Sequence, residues 1–137
     1  MIDSKGFTLI EVMITIVIIA IIASVAVPYY RSHIMRSDRT EIIPAMQRMM
    51  SAQERYFLNN RTYTDDLKDL GFEENLYPLD NYNITARACS APASDELELC
   101  IEVLATATGN QIEDGDIIMN SVGRSVRITA DDVEHPL

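Results

Sequence analysis

Residues 7–27 are apolar at 17 of 21 positions, broken only by Thr8, Glu11, Thr15 and Ser24. A helix of that length covers about 30 Å, the thickness of a bilayer's hydrocarbon core, so the segment predicts one membrane-spanning helix. Beyond it the pattern becomes amphipathic. Over residues 32–59, Ile42, Met46, Met49, Met50, Tyr56 and Phe57 fall on one stripe at helical spacing, with Gln53 interrupting it. The stripe predicts packing on the protein's own core, in preference to an adaptable Met-rich binding surface. Pro28 and Pro44 each remove a helical N–H donor and are expected to bend or loosen the helix, which would help neighbouring subunits fit together.

The period then shortens. Thr64 followed by Asp65, Asp66 and Leu67 reads as a capped short helix closed by Gly71. In residues 82–89, alternation places Tyr82, Ile84, Ala86 and Ala88 on one face and Asn83, Thr85, Arg87 and Cys89 on the other. In residues 97–103, Leu97, Leu99, Ile101 and Val103 oppose Glu98, Cys100 and Glu102. Two further strands are expected at residues 116–120 and 125–129, joined through Ser121-Val122-Gly123-Arg124. The prediction is an α+β domain in which a long helix lies on about four antiparallel strands.

Cys89 and Cys100 are the only cysteines, and an N-terminal apolar span delivers them to an oxidising compartment. Both fall on the polar faces of adjacent predicted strands, across a connection containing Pro92, so a Cys89–Cys100 disulfide is geometrically reasonable. His33 and His135 are isolated and far from both, so no metal site is expected. Charge divides the chain: residues 31–61 carry a net +3 and residues 62–137 a net −12. An acidic distal half repels phosphate backbones, which speaks against nucleic acid as a partner.

The N-terminus has neither a long basic leader nor a small-x-small cleavage site after the apolar run, so it does not read as a cleaved secretory signal. A plain anchor leaves Glu11 unexplained, since a carboxylate in a lipid-facing helix costs a few kcal/mol. Glu11 lies one turn after Phe7. A chain cut before Phe7 would carry an α-ammonium in the same layer, and the two charges would neutralise each other within or between subunits.

Gly6-Phe7-Thr8-Leu9-Ile10-Glu11-Val12 resembles the type III signal of prepilins and pseudopilins, and the apolar run with Pro28-Tyr29-Tyr30 continues the likeness. The resemblance implies cleavage between Gly6 and Phe7 by a membrane prepilin peptidase, N-methylation of Phe7, and an assembly role for Glu11. It divides the chain into a leader (residues 1–6), a transmembrane half-helix (7–28) and a pilin globular domain (29–137). Counting Arg31, Arg36 and Arg39 against Lys5 alone would place the C-terminal side in the cytoplasm. The signal motif implies the opposite: a periplasmic domain in the inner membrane, moving to the extracellular pilus on assembly. Met35-Arg36-Ser37-Asp38-Arg39-Thr40-Glu41, Ala52-Gln53-Glu54-Arg55-Tyr56-Phe57, Tyr63-Thr64, Leu70-Gly71 and Asn83-Ile84-Thr85 are most similar to PilE-like minor pilins.

That likeness implies a minor pilin acting in pilus initiation and through it in adhesion or motility. Its partners would be other major and minor pilins, the peptidase/methyltransferase, membrane lipid and a tip adhesin. A type II secretion pseudopilin and a DNA-uptake minor pilin are the alternatives. No phosphate loop, paired metal-binding histidines or nucleophile elbow occurs, so neither an enzyme nor a cofactor is expected. Glu113-Asp114-Gly115-Asp116 lacks the ligand spacing of a calcium loop and reads as a solvated acidic turn. Asn60-Arg61-Thr62 and Asn83-Ile84-Thr85 match the glycosylation sequon and read as unmodified residues.

Overall fold

A computed structural model describes residues 6–75, 77–79, 81–90 and 96–137. One α-helix, α1, runs from Leu9–Asn60 and passes both Pro28 and Pro44 without a break. The chain divides into two units, Met1–Arg36 and Ser37–Leu137. In the first, the described residues are helix from Leu9 onward, and nearly all are exposed.

In the second unit, Ile42, Ala45, Met46, Met49, Ala52 and Gln53 are the buried residues of α1, recurring every three or four positions. They face an antiparallel sheet of six strands in the order β1-β2-β3-β4-β5-β6: Tyr77–Leu79, Tyr82–Ala88, Ile101–Ala107, Asp116–Asn120, Ser125–Ile128 and Glu134–Pro136. Each strand pairs with the next in sequence, a meander that short turns suffice to connect. Tyr82, Ile84 and Ala86 of β2 join Ile101, Val103, Ala105 and Ala107 of β3 and Ile117 of β4 in one core with Ile42, Met46 and Met49. Each large side chain so buried contributes about 1.5–3 kcal/mol.

Four details differ from the sequence reading. Two edge strands, β1 and β6, add to the four expected; each is three residues long and contains a proline, a combination suited to an edge where one side needs no partner. The strand expected at residues 97–103 lies at Ile101–Ala107 instead. Residues 97–99 turn, with the Leu99 and Cys100 N–H groups on the Glu96 carbonyl, while the Leu97 carbonyl accepts from the Tyr63 N–H at 3.0 Å. Leu99 is accordingly exposed. The short helix is a 3-10 turn, Leu67–Leu70, capped by Asp66, and Gly71 closes it at φ 92°, as the sequence required. Strands β2 and β5 each end one residue early, at Ala88 and Ile128.

The disulfide does form between Cys89 and Cys100, with Cα atoms 5.5 Å apart. The pair sits one step beyond the last paired residues, Ala88 and Ile101, and both cysteines are fully buried. The Pro92 connection lies outside the described residues.

Candidate assembly site at the helix N-terminus

Helix α1 begins with four backbone N–H groups that no preceding turn can satisfy. Thr8 and Glu11 answer this as a capping box: residue 8 precedes the first helical residue and the carboxylate stands three positions on. Glu11 Oε2 accepts from the Thr8 N–H at 2.9 Å and from the Thr8 hydroxyl at 2.7 Å, while the Glu11 N–H reaches back to Thr8 Oγ1 at 3.4 Å. Farther in, the Thr15 hydroxyl donates to the Glu11 carbonyl at 2.6 Å, so three of the span's four polar residues meet at this site. The pattern Thr-x-x-Glu before an apolar run is readable in the sequence, and it is the local explanation for Glu11 that the charge argument missed.

The capping box uses only one carboxylate oxygen. Among the described residues Glu11 Oε1 accepts no hydrogen bond, and the apolar side chains near it are exposed, Phe7 by 88% and Leu9 by 78%. By length and composition the helix is long and apolar enough to cross a membrane. Met1 to Lys5 lie outside the described residues, whereas Gly6 and Phe7, the two sides of the expected cut, precede the helix in irregular chain.

The second unit closes around polar contacts that periodicity did not reveal. Gln53, the interruption of the apolar stripe, is fully buried; its amide donates to the Thr64 carbonyl at 2.5 Å and accepts from the Thr64 N–H at 3.2 Å. The Glu113–Asp116 turn is not a solvated acidic turn. Asp114 is buried between Arg39 of α1, at 2.8 Å, and Arg127 of β5, at 3.1 Å, and it also accepts from Gln111, which in turn donates to the Tyr82 hydroxyl. Asp116 accepts the Ala107 N–H at 2.8 Å. Gly115, at φ 95°, passes so close to β5 that a Cβ would lie 2.0 Å from the Ile128 carbonyl oxygen.

These contacts also consume positive charge. Arg87 pairs with the buried Glu102 at 2.5 Å and Arg124 with Glu134, so Arg39, Arg87, Arg124 and Arg127 all face carboxylates. Burial pushes the Tyr82 hydroxyl up to about 12, the Gln111 hydrogen bond partly opposing it, and burial raises Tyr63 as well.

Comparison with known proteins agrees with this arrangement. A family model described as the prokaryotic N-terminal methylation motif matches residues 1–27, and one described as "Type IV minor pilin ComP, DNA uptake sequence receptor" matches residues 28–116. The chain is 32% identical over 85 residues to the type IV major pilin protein PilA of Myxococcus xanthus, covering 62% of this chain and 39% of that protein. It is 40% identical over 67 residues to the type IV major pilin protein PilE of Neisseria gonorrhoeae, covering 49% and 40%. A fimbrial protein of Pseudomonas aeruginosa is 36% identical over 76 residues, covering 51% and 49%. The matched part thus spans less than half the length of each of these relatives. With the two models together accounting for residues 1–116 and the second alone for more than half of the chain, the protein belongs to the type IV pilin family, in the group described by the ComP minor-pilin model.

Proposed function

We propose that this protein is a minor pilin: a membrane-held precursor, cut between Gly6 and Phe7, methylated at Phe7, and incorporated through its N-terminal helix into a type IV pilus beside other pilins. Before assembly the domain after the span stands on the periplasmic side. The observation that carries the reading is the carboxylate of Glu11, half used by its own capping box and half open, in a helix otherwise suited to hydrocarbon. After the cut, the open oxygen is the partner an incoming Phe7 ammonium needs among apolar side chains. Losing one member of such a pair leaves the other uncompensated, at a cost of about 3–5 kcal/mol. Glu11→Ala should therefore insert into membranes as well as wild type yet fall roughly a hundredfold or more in the fibre. Equal incorporation of the variant would refute the role.

A second reading is favoured by the description of the matching family model: a pilin that captures DNA for uptake. Residues 62–137 carry a net −12, and Arg87, Arg124 and Arg127 there are all held by carboxylates, so in that half such recognition would rest on base contacts and not on backbone charge. Fluorescence anisotropy with the full chain in detergent and labelled duplexes at physiological salt decides it. Sequence-selective binding supports uptake, and no binding rejects it while leaving the assembly role intact.

A further inference from the structure

Along the second unit, α1 and the segment after the 3-10 turn enclose a groove of about 720 Å³. Its helix side carries Ser51 and Ala52 between two arginines, Arg48 and Arg55, with Ala45 one turn before; Leu70 and Phe72 form the apolar wall opposite. The arginines stand seven residues apart, two turns or about 10 Å along the helix. Both are exposed, and neither enters an ion pair among the described residues, in contrast to Arg39, Arg87, Arg124 and Arg127. Glu73 and Glu74 follow Phe72 but do not line the groove, so its cationic side is the helix.

A matching surface exists on the same chain. Between β5 and β6 a tight turn presents Asp131, Asp132 and Val133, all exposed, with Asp132 at φ 57° and the turn held by the Thr129 N–H on the Val133 carbonyl and the Asp132 N–H on the Thr129 carbonyl. The turn pairs two carboxylates with one exposed apolar side chain, as the groove pairs two guanidinium groups with an apolar wall. The wall leads into β1 and the turn into β6, the two opposite edges of the sheet. At about 4.8 Å per strand, those edges lie roughly 24 Å apart, and the turn does not line the groove of its own chain.

We infer that the Arg48–Arg55 groove receives the Asp131–Asp132–Val133 turn of a second copy of this chain. The contact is heterologous, with different patches on the two partners, so it joins two neighbouring copies of this chain within the fibre. This rests on the fibre-subunit reading and names one partner within it.

The test is disulfide trapping in cells that carry two copies of the full chain, one Ser51→Cys and the other Val133→Cys. The native cysteines are joined and buried, so they do not interfere. A dimer should form only when both copies are present. Arg48→Glu with Arg55→Glu on the groove copy should lower its yield at least tenfold, and Asp131→Lys with Asp132→Asn on the turn copy should recover most of it. Arg48 and Arg55 are exposed, and an intact Cys89–Cys100 bridge checks that the variants fold. Fibres containing both copies without a dimer, a yield indifferent to the charge reversals, or capture of a different pilin by Ser51→Cys would each overturn the inference and leave the fibre-subunit reading standing. Absence of the wild-type chain from sheared fibres would overturn both.

Discussion

Replacing Gln53 with methionine isolates the contact that fastens the end of α1 to the chain after it. Methionine is a good helix former and fills irregular space, so the substitution changes packing little. What it removes is the amide that holds both backbone groups of Thr64, a residue only 6% exposed. A buried group left unpaired costs about 1–3 kcal/mol, and two such groups about 2–6. Thr64 lies in a connecting segment able to shift toward water, which places the loss in the lower half, at about 2–4 kcal/mol. In a domain of roughly a hundred residues, each kcal/mol moves the melting temperature by about 4–8 °C, so Gln53→Met should melt about 10–25 °C below wild type. The assay is thermal unfolding of the full chain in detergent, followed by near-ultraviolet circular dichroism of the domain's tyrosines. A melting temperature within about 2 °C of wild type would show that Thr64 finds other partners and that Gln53 is no clamp.

Two further outcomes follow from the same core. Replacing both Cys89 and Cys100 with serine reopens a short loop and should lower unfolding free energy by about 2–3 kcal/mol in the chain-entropy model, read from the denaturant midpoint; an unchanged midpoint would contradict it. Tyr82 titrates near 12 when folded and about 10 when unfolded, so the stability its buried neutral form supplies is complete below pH 10 and is lost as pH rises toward 12. Stability should decline over that window, and Tyr82→Phe should flatten the decline; an identical alkaline slope in the variant would argue that other groups govern it.

Where a structural demand repeats along the chain, the sequence displays it. The Ile42–Met46–Met49 stripe and the alternation of β2 are periodic because one face is buried throughout, and each appears in the structure as read. Gly71 was legible for a different reason: a helix end needs a left-handed residue, and glycine supplies it cheaply. The misplaced start of β3 shows the limit. Leu97 and Leu99 continue the alternation of Ile101 and Val103, yet a hydrogen bond from Tyr63, far away in sequence, draws residue 97 into a turn. Gln53 and Asp114 misled in the same way. A polar residue on an apolar stripe, or an acid in a Gly-containing turn, takes its meaning from partners such as Thr64, Arg39 and Arg127, which no local pattern names. At the candidate assembly site the order is reversed: Thr8 and Glu11 are close in sequence, and their capping box could be read directly, whereas the partner proposed for the open carboxylate oxygen lies on another molecule or on the processed chain.

The account turns on that processed N-terminus, and intact-mass and peptide mass spectrometry of the protein recovered from sheared fibres tests it most directly. The expected N-terminal peptide begins at Phe7, carries one added methyl group on its amine and includes an unmodified Glu11. Fibre-borne protein that still carries residues 1–6 would contradict the account, because no free ammonium would then exist at Phe7 for the Glu11 carboxylate to meet.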